Sequence, residues 1–397
     1  MQTTKSNRLH IGFFGKRNVG KSSIVNKITG QDISIVSDNA GTTTDVNQKS
    51  MELLPIGPVT LMDTAGYDDI GELGKLRIEK THKALDRADI AVMVFDNNSL
   101  NADDLEFLKL LKERKIPILS ILNKTDAGMI CGDDIKRIEQ YSDIVIKVSA
   151  LSSDVASEFK AALIKILPED FIKDVSILSD IVQKKETAVL VIPIDKEAPK
   201  GRLILPQVNV LRDLLDYGAI SVVTKESELE FALNNLKAPP KIVVTDSQAF
   251  KKVSEIVPKD IMLTSFSILF ARLKGDLSVF RDGAEKLDNL ADEDKILVLE
   301  SCTHHPIEDD IGRVKIPNLI KKYTGKNLIF EHYSGHDFPS DIDKYSLIIH
   351  CGACMTNRRE ILNRINISLK KNVPITNYGI IIAKCLGILD RALAPFK

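Results

Sequence analysis

The sequence predicts an α/β fold: a mostly parallel sheet in the first part of the chain, followed by two further α/β domains. Three observations predict it. Short β-rich runs alternate with helical patterns, a glycine-rich loop joins the first strand to the first helix, and the strand and helix rhythm resumes twice after polar or proline-marked stretches. At 397 residues the chain is long enough for two or three domains, each with a core of its own.

Taken in order, the β-rich runs of the first segment are Leu9 to Phe14, Val59 to Asp63, Ile90 to Asp96, Ile116 to Asn123 and Ile144 to Ser149. A boundary is expected between Leu167 and Lys185, where Pro168 follows a helical stretch and the polar QKKET precedes a new apolar run. This sets expected domains at residues 1–172, 173–272 (linker and second domain) and 273–397. The middle block opens on AVLVIPID at Ala188 to Asp195 and continues through ISVV, KIVVTD and the helix-like FSILFARLKG. It has neither cysteine nor histidine, so packing or self-association is its expected role. The last block contributes strands KILVLES, NLIFEHY and SLIIH, a helix from Gly312 to Tyr323, and helices from about Thr356.

Lys plus Arg (54) balances Asp plus Glu (55), so no global basic field exists to hold nucleic acid or an anionic membrane. No run approaches the roughly eighteen apolar residues of a membrane span, and MQTTKSNRLH lacks the pattern of a secretory signal. A soluble cytoplasmic protein is expected, partnered by neither nucleic acid nor membrane. Five cysteines, an odd and modest number, suit reduced thiols better than a disulfide framework.

Gly15-Lys16-Arg17-Asn18-Val19-Gly20-Lys21-Ser22 fits the phosphate-binding loop and lies between a strand and the helical SSIVNKI. Its backbone N–H groups can wrap phosphates, Lys21 can reach the β and γ phosphates, and the Ser22 hydroxyl is available to Mg²⁺, with Ser23 next on the helix. Asp63-Thr64-Ala65-Gly66 ends a strand, where the carboxylate can hold Mg²⁺ through water and the Gly66 N–H can sense the γ phosphate. Asn123-Lys124-Thr125-Asp126 ends another; Asp126 can accept from both N1 and N2 of guanine, a match adenine lacks. Ser149-Ala150 closes the set with N–H groups placed for the guanine O6. In between, Gly41-Thr42-Thr43-Thr44-Asp45 offers a threonine to cap Mg²⁺ and the γ phosphate. The expected ligands are GTP or GDP with Mg²⁺.

With these motifs the chain resembles the TrmE/MnmE branch of translation-factor-related GTPases. That branch writes GTTRD where Gly41 to Asp45 stands, which implies Thr43 as the metal ligand; Thr44 replaces its Arg. The resemblance also implies K⁺ beside the phosphates at Asn18, whose other reading is a turn residue of left-handed propensity. Tyr67, followed by Asp68 and Asp69, stands where Ras-like enzymes place a water-orienting Gln. Slow, potassium-stimulated hydrolysis is the expectation, with Lys21, Thr43 and Gly66 closest to the reacting phosphate.

The last block holds Cys302-Thr303-His304-His305 and His350-Cys351-Gly352-Ala353-Cys354, each directly after an apolar run. If those runs are parallel strands, the thiols converge at one sheet edge. By chemistry alone the group suits a Cys₃His zinc site, an iron–sulfur cluster on three thiolates, a redox pair, or ordinary buried cysteines. Cys131 and Cys385 stand apart and read as structural.

A phosphate-binding-loop GTPase domain, a middle domain without catalytic residues, and Cys-x-His followed about 45 residues later by His-Cys-x-x-Cys together resemble the HydF family of FeFe-hydrogenase maturation GTPases. The resemblance implies a 4Fe–4S cluster on Cys302, Cys351 and Cys354, with the fourth position open to His304, His350, a carboxylate, water or an incoming precursor. It further implies a homodimer formed through the middle domain, two radical-SAM maturases upstream, and apo-FeFe-hydrogenase receiving a di-iron subcluster. The rival is an RNA-modification or RNP-assembly GTPase with a structural zinc. It predicts a basic face or stacking aromatics beside the thiols, but the chain has no Trp and PIEDD follows the first group. A redox enzyme working through Cys351 and Cys354 alone leaves Cys302 and the nucleotide site unexplained.

Overall fold

A computed structural model describes residues 8–30, 47–67, 81–97, 100–128, 130–152, 154–168, 171, 176–194, 200–301, 310–335 and 338–397. The chain divides into two compact units, Met1–Asp174 and Val175–Lys397. Among the described residues no helix is long and apolar enough to cross a membrane.

In the first unit, β1 (Leu9–Phe14), β2 (Asn47–Leu53), β3 (Gly57–Asp63), β4 (Ile90–Phe95), β5 (Ile118–Leu122) and β6 (Ile144–Lys147) form a sheet in the order β2-β3-β1-β4-β5-β6. All neighbours are parallel except the edge pair β2 and β3. The central strands read as unbroken apolar runs because helices cover both faces. In β4, Ile90, Val92 and Val94 enter one core and Ala91, Met93 and Phe95 the other. The first core is closed by α1 (Lys21–Thr29) and by α4 (Val155–Lys165), whose Phe159 lies against Phe13 with ring centroids 5.8 Å apart. Fully burying such a ring contributes about 2–3 kcal/mol. The second core is closed by α2 (Ala102–Glu113) through Phe107, Leu108 and Leu111, and α3 (Gly132–Glu139) adds Ile138. The sequence reading found the five parallel strands but not β2, whose polar NQKSMEL pairs along one edge and turns only Met51 and Leu53 toward the first core.

The second unit carries two four-stranded parallel sheets. In the first, β7 (Thr187–Val191), β8 (Ile220–Thr224), β9 (Ile242–Thr245) and β10 (Met262–Ser265) lie in the order β10-β9-β7-β8. Its helices are α5 (Leu205–Asp216), α6 (Leu229–Asn234), α7 (Phe250–Ile256) and α8 (Phe266–Lys274). After α9 (Leu277–Glu285), the second sheet comprises β11 (Lys295–Glu300), β12 (Ile329–Ser334), β13 (Leu347–His350) and β14 (Ile375–Asn377) in the order β12-β11-β13-β14. A π-helical turn, Ile311–Lys315, opens the predicted helix at its start and leads into α10 (Ile316–Thr324); α11 (Arg358–Lys370), α12 (Tyr378–Cys385) and α13 (Leu389–Leu393) complete the unit.

One apolar core joins the two sheets: Val189, Val243 and Leu263 share it with Leu297, Leu299, Ile348 and Ile380. Helix α8 lies within this unit with apolar residues on every side, Ile268 and Ala271 in the shared core, Phe266 and Leu269 in the core on the other face of the first sheet. A helix apolar all round is a buried one. Strands β10 and β14, four and three residues long, escaped the sequence reading.

Candidate functional site

In the first unit the carboxyl ends of β1, β3, β5 and β6 each deliver one element of the predicted nucleotide site. After β1 the backbone takes positive φ at Gly15 (146°), Asn18 (61°) and Gly20 (96°). A side chain at Gly15 would strike the Val94 carbonyl, and one at Gly20 the Asn123 amide, so both positions require glycine. Asn18 adopts the left-handed conformation that Asn tolerates better than most residues, as its turn reading expects. The buried Lys21 curls back over the loop, its Nζ 3.0 Å from the Gly15 carbonyl and 2.7 Å from that of Lys16.

Ser22 and Ser23 are exposed on the first turn of α1, and Ser22 Oγ donates to Asp63 Oδ2 at 2.5 Å. The second oxygen, Asp63 Oδ1, is buried and has no hydrogen-bond partner among the described residues. Burial raises the Asp63 carboxyl above its ordinary range, against the Ser22 hydrogen bond and the charges of Lys21 and Lys49. A divalent cation would reverse that balance. An orphaned carboxylate oxygen beside a serine hydroxyl suits the all-oxygen shell of Mg²⁺. Gly66 is buried three residues on. Thr43 lies outside the described residues.

The base-recognition elements brace one another. Asn123 donates through Nδ2 to the Val19 carbonyl at 2.8 Å and accepts through Oδ1 from the Ala150 N–H at 3.1 Å, tying the phosphate loop to the last element. Lys124, at φ 59°, sets its Nζ 3.2 Å from Asp96 Oδ2. Asp126 is exposed, and Ser149 Oγ donates to it at 2.5 Å, holding the carboxyl below its ordinary range. The expected base ligand is thus presented ionised and accessible.

Sequence reasoning missed Asp104, at the first turn of α2. Its Oδ2 accepts from the Asn101 N–H in a capping box and lies 2.7 Å from Lys16 Nζ, while Oδ1 accepts from the Tyr67 hydroxyl. Tyr67 also stacks on Phe107, ring centroids 4.9 Å apart. One carboxylate therefore ties a phosphate-loop lysine to the residue standing where other GTPases place Gln. The signal was present in the sequence as Asn101-x-x-Asp104 ahead of an apolar run.

In the second unit the two strands that precede the cysteine groups are parallel neighbours, the condition on which the expected convergence rested. Strands β11 and β13 are parallel, with Leu299 opposite His350, and the Cys351 N–H donates to the Leu299 carbonyl at 2.9 Å. Ser301 and Cys351 therefore leave the sheet side by side. The Cys351 Sγ accepts N–H groups from Ser301 at 3.1 Å and Ala353 at 3.4 Å, and lies 3.3 Å from Ser301 Oγ. Burial, then the neighbouring Cys354, pushes the Cys351 thiol up, and a metal bound there would displace its proton. Amide donors aimed at a sulfur suit a metal-bound thiolate. Cys302 and His304 lie outside the described residues.

His350 is 1% exposed and built into the interior. Its Nε2 accepts from Arg364 Nη1 at 2.8 Å, which leaves Nδ1 to donate to the Cys351 carbonyl at 2.9 Å. Burial and the Arg364 charge bring its pKa down to about 3. Both ring nitrogens are engaged, so in this structure His350 offers a metal no lone pair, contrary to the expectation that made it a candidate fourth ligand. Arg364 also donates to Glu360 Oε1 at 2.6 Å and to the Gly335 carbonyl at 3.2 Å. From the other side the buried Lys274 places Nζ at 2.8 Å from the Ala353 carbonyl and 2.7 Å from that of Thr356; burial brings its pKa down to about 8. Glu360 and Arg364 at helical i, i+4 spacing were a readable signal. Lys274, a lysine closing an apolar helix, gave none.

Comparison with known proteins gives each region a relative. Residues 10–124 match a 50S ribosome-binding GTPase domain, 177–275 the hydrogen maturase F dimerization domain, and 278–395 the hydrogen maturase F tetramerization domain. The tRNA modification GTPase MnmE of Acetivibrio thermocellus is 30% identical over 236 residues, 56% of this chain and 49% of the relative. That of Caldicellulosiruptor saccharolyticus is 36% identical over 139 residues, 34% of this chain and 30% of the relative. The chain thus spans less than half the length of these curated relatives. Among solved structures, the G domain of the T. maritima FeoB iron transporter matches with a TM-score of 0.31 and 18% identity, covering 41% of this chain and 100% of that one. The first unit carries a GTPase domain. The second carries two oligomerization domains. Tetramerization was not read from the sequence, which took the last block as cluster-binding alone.

Proposed function

We propose that this chain, which belongs to the hydrogen maturase F family, is a GTPase that holds a 4Fe–4S cluster on Cys302, Cys351 and Cys354 and acts as scaffold and carrier for the di-iron subcluster of FeFe-hydrogenase. The observation that carries the reading is the parallel pairing of β11 with β13. It brings the chain leading into Cys302 beside Cys351 and sets the Ser301 N–H on the Cys351 sulfur, where the Ala353 N–H of the turn joins it. Bound there, a cluster on three thiolates would leave one iron open to exchange, where a precursor can dock. With His350 committed to Arg364, the fourth position falls to His304 or to an exchangeable ligand.

The chain's own residues supply the rest. Lys21 neutralises phosphate charge, Asp63 and Ser22 hold Mg²⁺ with Thr43 closing its shell, and Asp126 selects guanine. Hydrolysis is slow and potassium-stimulated, since Tyr67 replaces the water-orienting Gln and Asn18 stands at the potassium position. The partners are a second copy of this chain through the middle domain, two radical-SAM maturases that supply the substrate cluster, and the apo-hydrogenase that receives it. Ile220 and Val223, exposed on the edge strand β8, suit self-association.

Iron and acid-labile sulfide analysis of anaerobically reconstituted protein tests the reading. About four of each per chain, lost in Cys351→Ser, is the expected result. One zinc and no iron after reconstitution would overturn it in favour of an RNA-directed GTPase with a structural metal pin.

A further inference from the structure

We propose that α8, a helix of the dimerization domain, positions the thiol-bearing turn of the following domain, with Lys274 as its principal positioning residue. The proposal rests on the functional reading above for what the turn holds, but the geometry stands by itself. Lys274 ends α8 and is 3% exposed. Its Nζ donates to the carbonyls of Ala353 (2.8 Å), Cys354 (3.4 Å) and Thr356 (2.7 Å), so one ammonium gathers three acceptors of the Cys351–Thr356 turn. Seven residues earlier on the same helix, Ser267 Oγ donates to Asn377 Oδ1 at 3.0 Å, and Asn377 Nδ2 donates to the Cys351 carbonyl at 3.2 Å. Residues seven apart share a helix face. The two ends of the turn are therefore fastened to one face of one helix, Cys351 through Ser267 and Asn377, Cys354 through Lys274.

Lysine is an expensive choice for a purely structural brace, because a buried ammonium without an anion loses its hydration uncompensated. Among the described residues no carboxylate lies within ion-pair distance of Lys274 Nζ; the charges that bear on it are, in order, those of Cys354 and Cys351 when ionised and then that of Glu360, which is itself paired with Arg364. The arrangement makes electrostatic sense when the turn carries thiolates bound to a metal group of net negative charge, which the ammonium offsets. A neutral donor could hold the carbonyls; only a cation supplies the second effect.

Two readouts on the full chain separate these contributions. Hydrogen exchange on the metal-free protein reads the brace: Lys274→Gln should speed exchange of the 352–357 amides about tenfold or more, the loss of hydrogen bonds from a charged donor. Ser267→Ala should speed exchange around Cys351 and Gly352 severalfold. The midpoint potential of the reconstituted protein reads the charge: Lys274→Gln should shift it to more negative values, since a nearby cation favours the reduced state, and Ser267→Ala should leave it in place. Exchange within twofold of the parent in both variants would overturn the brace, and an unshifted potential in Lys274→Gln would overturn the electrostatic role. Should Lys274→Gln not fold, unchanged protection in Ser267→Ala refutes the proposal and loosened Cys351 and Gly352 amides support it. A parent protein that takes up no iron refutes the functional reading and leaves the exchange test standing.

Discussion

The nucleotide site and the thiol site are both built where parallel strands end, yet they are held by different means. In the first unit the braces are the motif residues themselves: Asn123, which announces the guanine site, also ties Val19 to Ala150. In the second unit the braces are anonymous. Lys274 and Asn377 belong to no sequence motif and reach the Cys351 turn from distant parts of the chain, while Arg364, paired with Glu360, holds the adjoining His350. A site whose ligand is gripped by backbone amides can carry its supports within its own loop. A site that must fix the separation of sulfurs draws rigidity from the core around it.

The sharpest way to break this comparison is to remove one residue of the first kind. Lys21→Ala should slow GTP hydrolysis about a thousandfold, by analogy with the loss of a preorganised oxyanion donor, while iron uptake by the second unit stays unchanged. Single-turnover hydrolysis and iron analysis on the same preparation check both halves. Next in size, Asp126→Asn should weaken GTP binding on the order of a hundredfold and favour xanthine nucleotides, whose donor and acceptor match the exchanged amide. Competition binding of the two nucleotides decides it; an unchanged GTP preference would remove Asp126 from the base site.

For the second kind of support, Arg364→Met should destabilise the second unit by about 3 kcal/mol, because it breaks the buried ion pair with Glu360 and removes the donor to His350 Nε2. Urea unfolding monitored in each unit would show it, with hydrolysis by the first unit intact. The smallest effect separates the two roles of Asn18. Asn18→Ala should remove most of the rate difference between potassium and sodium, a few-fold change, with nucleotide affinity nearly unchanged; equal parent rates in the two salts would sink the potassium role.

How much of this was legible follows from the same contrast. The HIGFFGKRNVGKSS stretch states its strand, loop and helix in consecutive residues, and NKTD and SA mark further strand ends, so the first unit could be read almost whole. The exceptions there are physical: β2 is polar because it pairs at one edge, and Asp104 acts through a cap. In the second unit the strands KILVLE and LIIH were readable as apolar runs, and their parallel pairing follows from fold rules. The supports were not, since Lys274 meets Ala353 across 79 residues and Ser267 meets Asn377 across 110. Only packing brings such pairs together, and a lysine after FSILFARL looks like any helix-ending charge. His350 misled for the same reason: beside two cysteines it reads as a ligand until Arg364 is found on its Nε2.

The central claim is that the thiols beyond β11 and β13 hold an iron–sulfur cluster in a chain that also turns over GTP. Electron paramagnetic resonance of the reconstituted, dithionite-reduced protein tests it most directly, with Cys302→Ser and Cys351→Ser alongside. The account predicts a low-spin signal of a reduced 4Fe–4S cluster in the parent, weakened or lost in both variants, while all three proteins hydrolyse GTP at similar rates. A reduced parent without such a signal, or a signal that survives both substitutions, would contradict it.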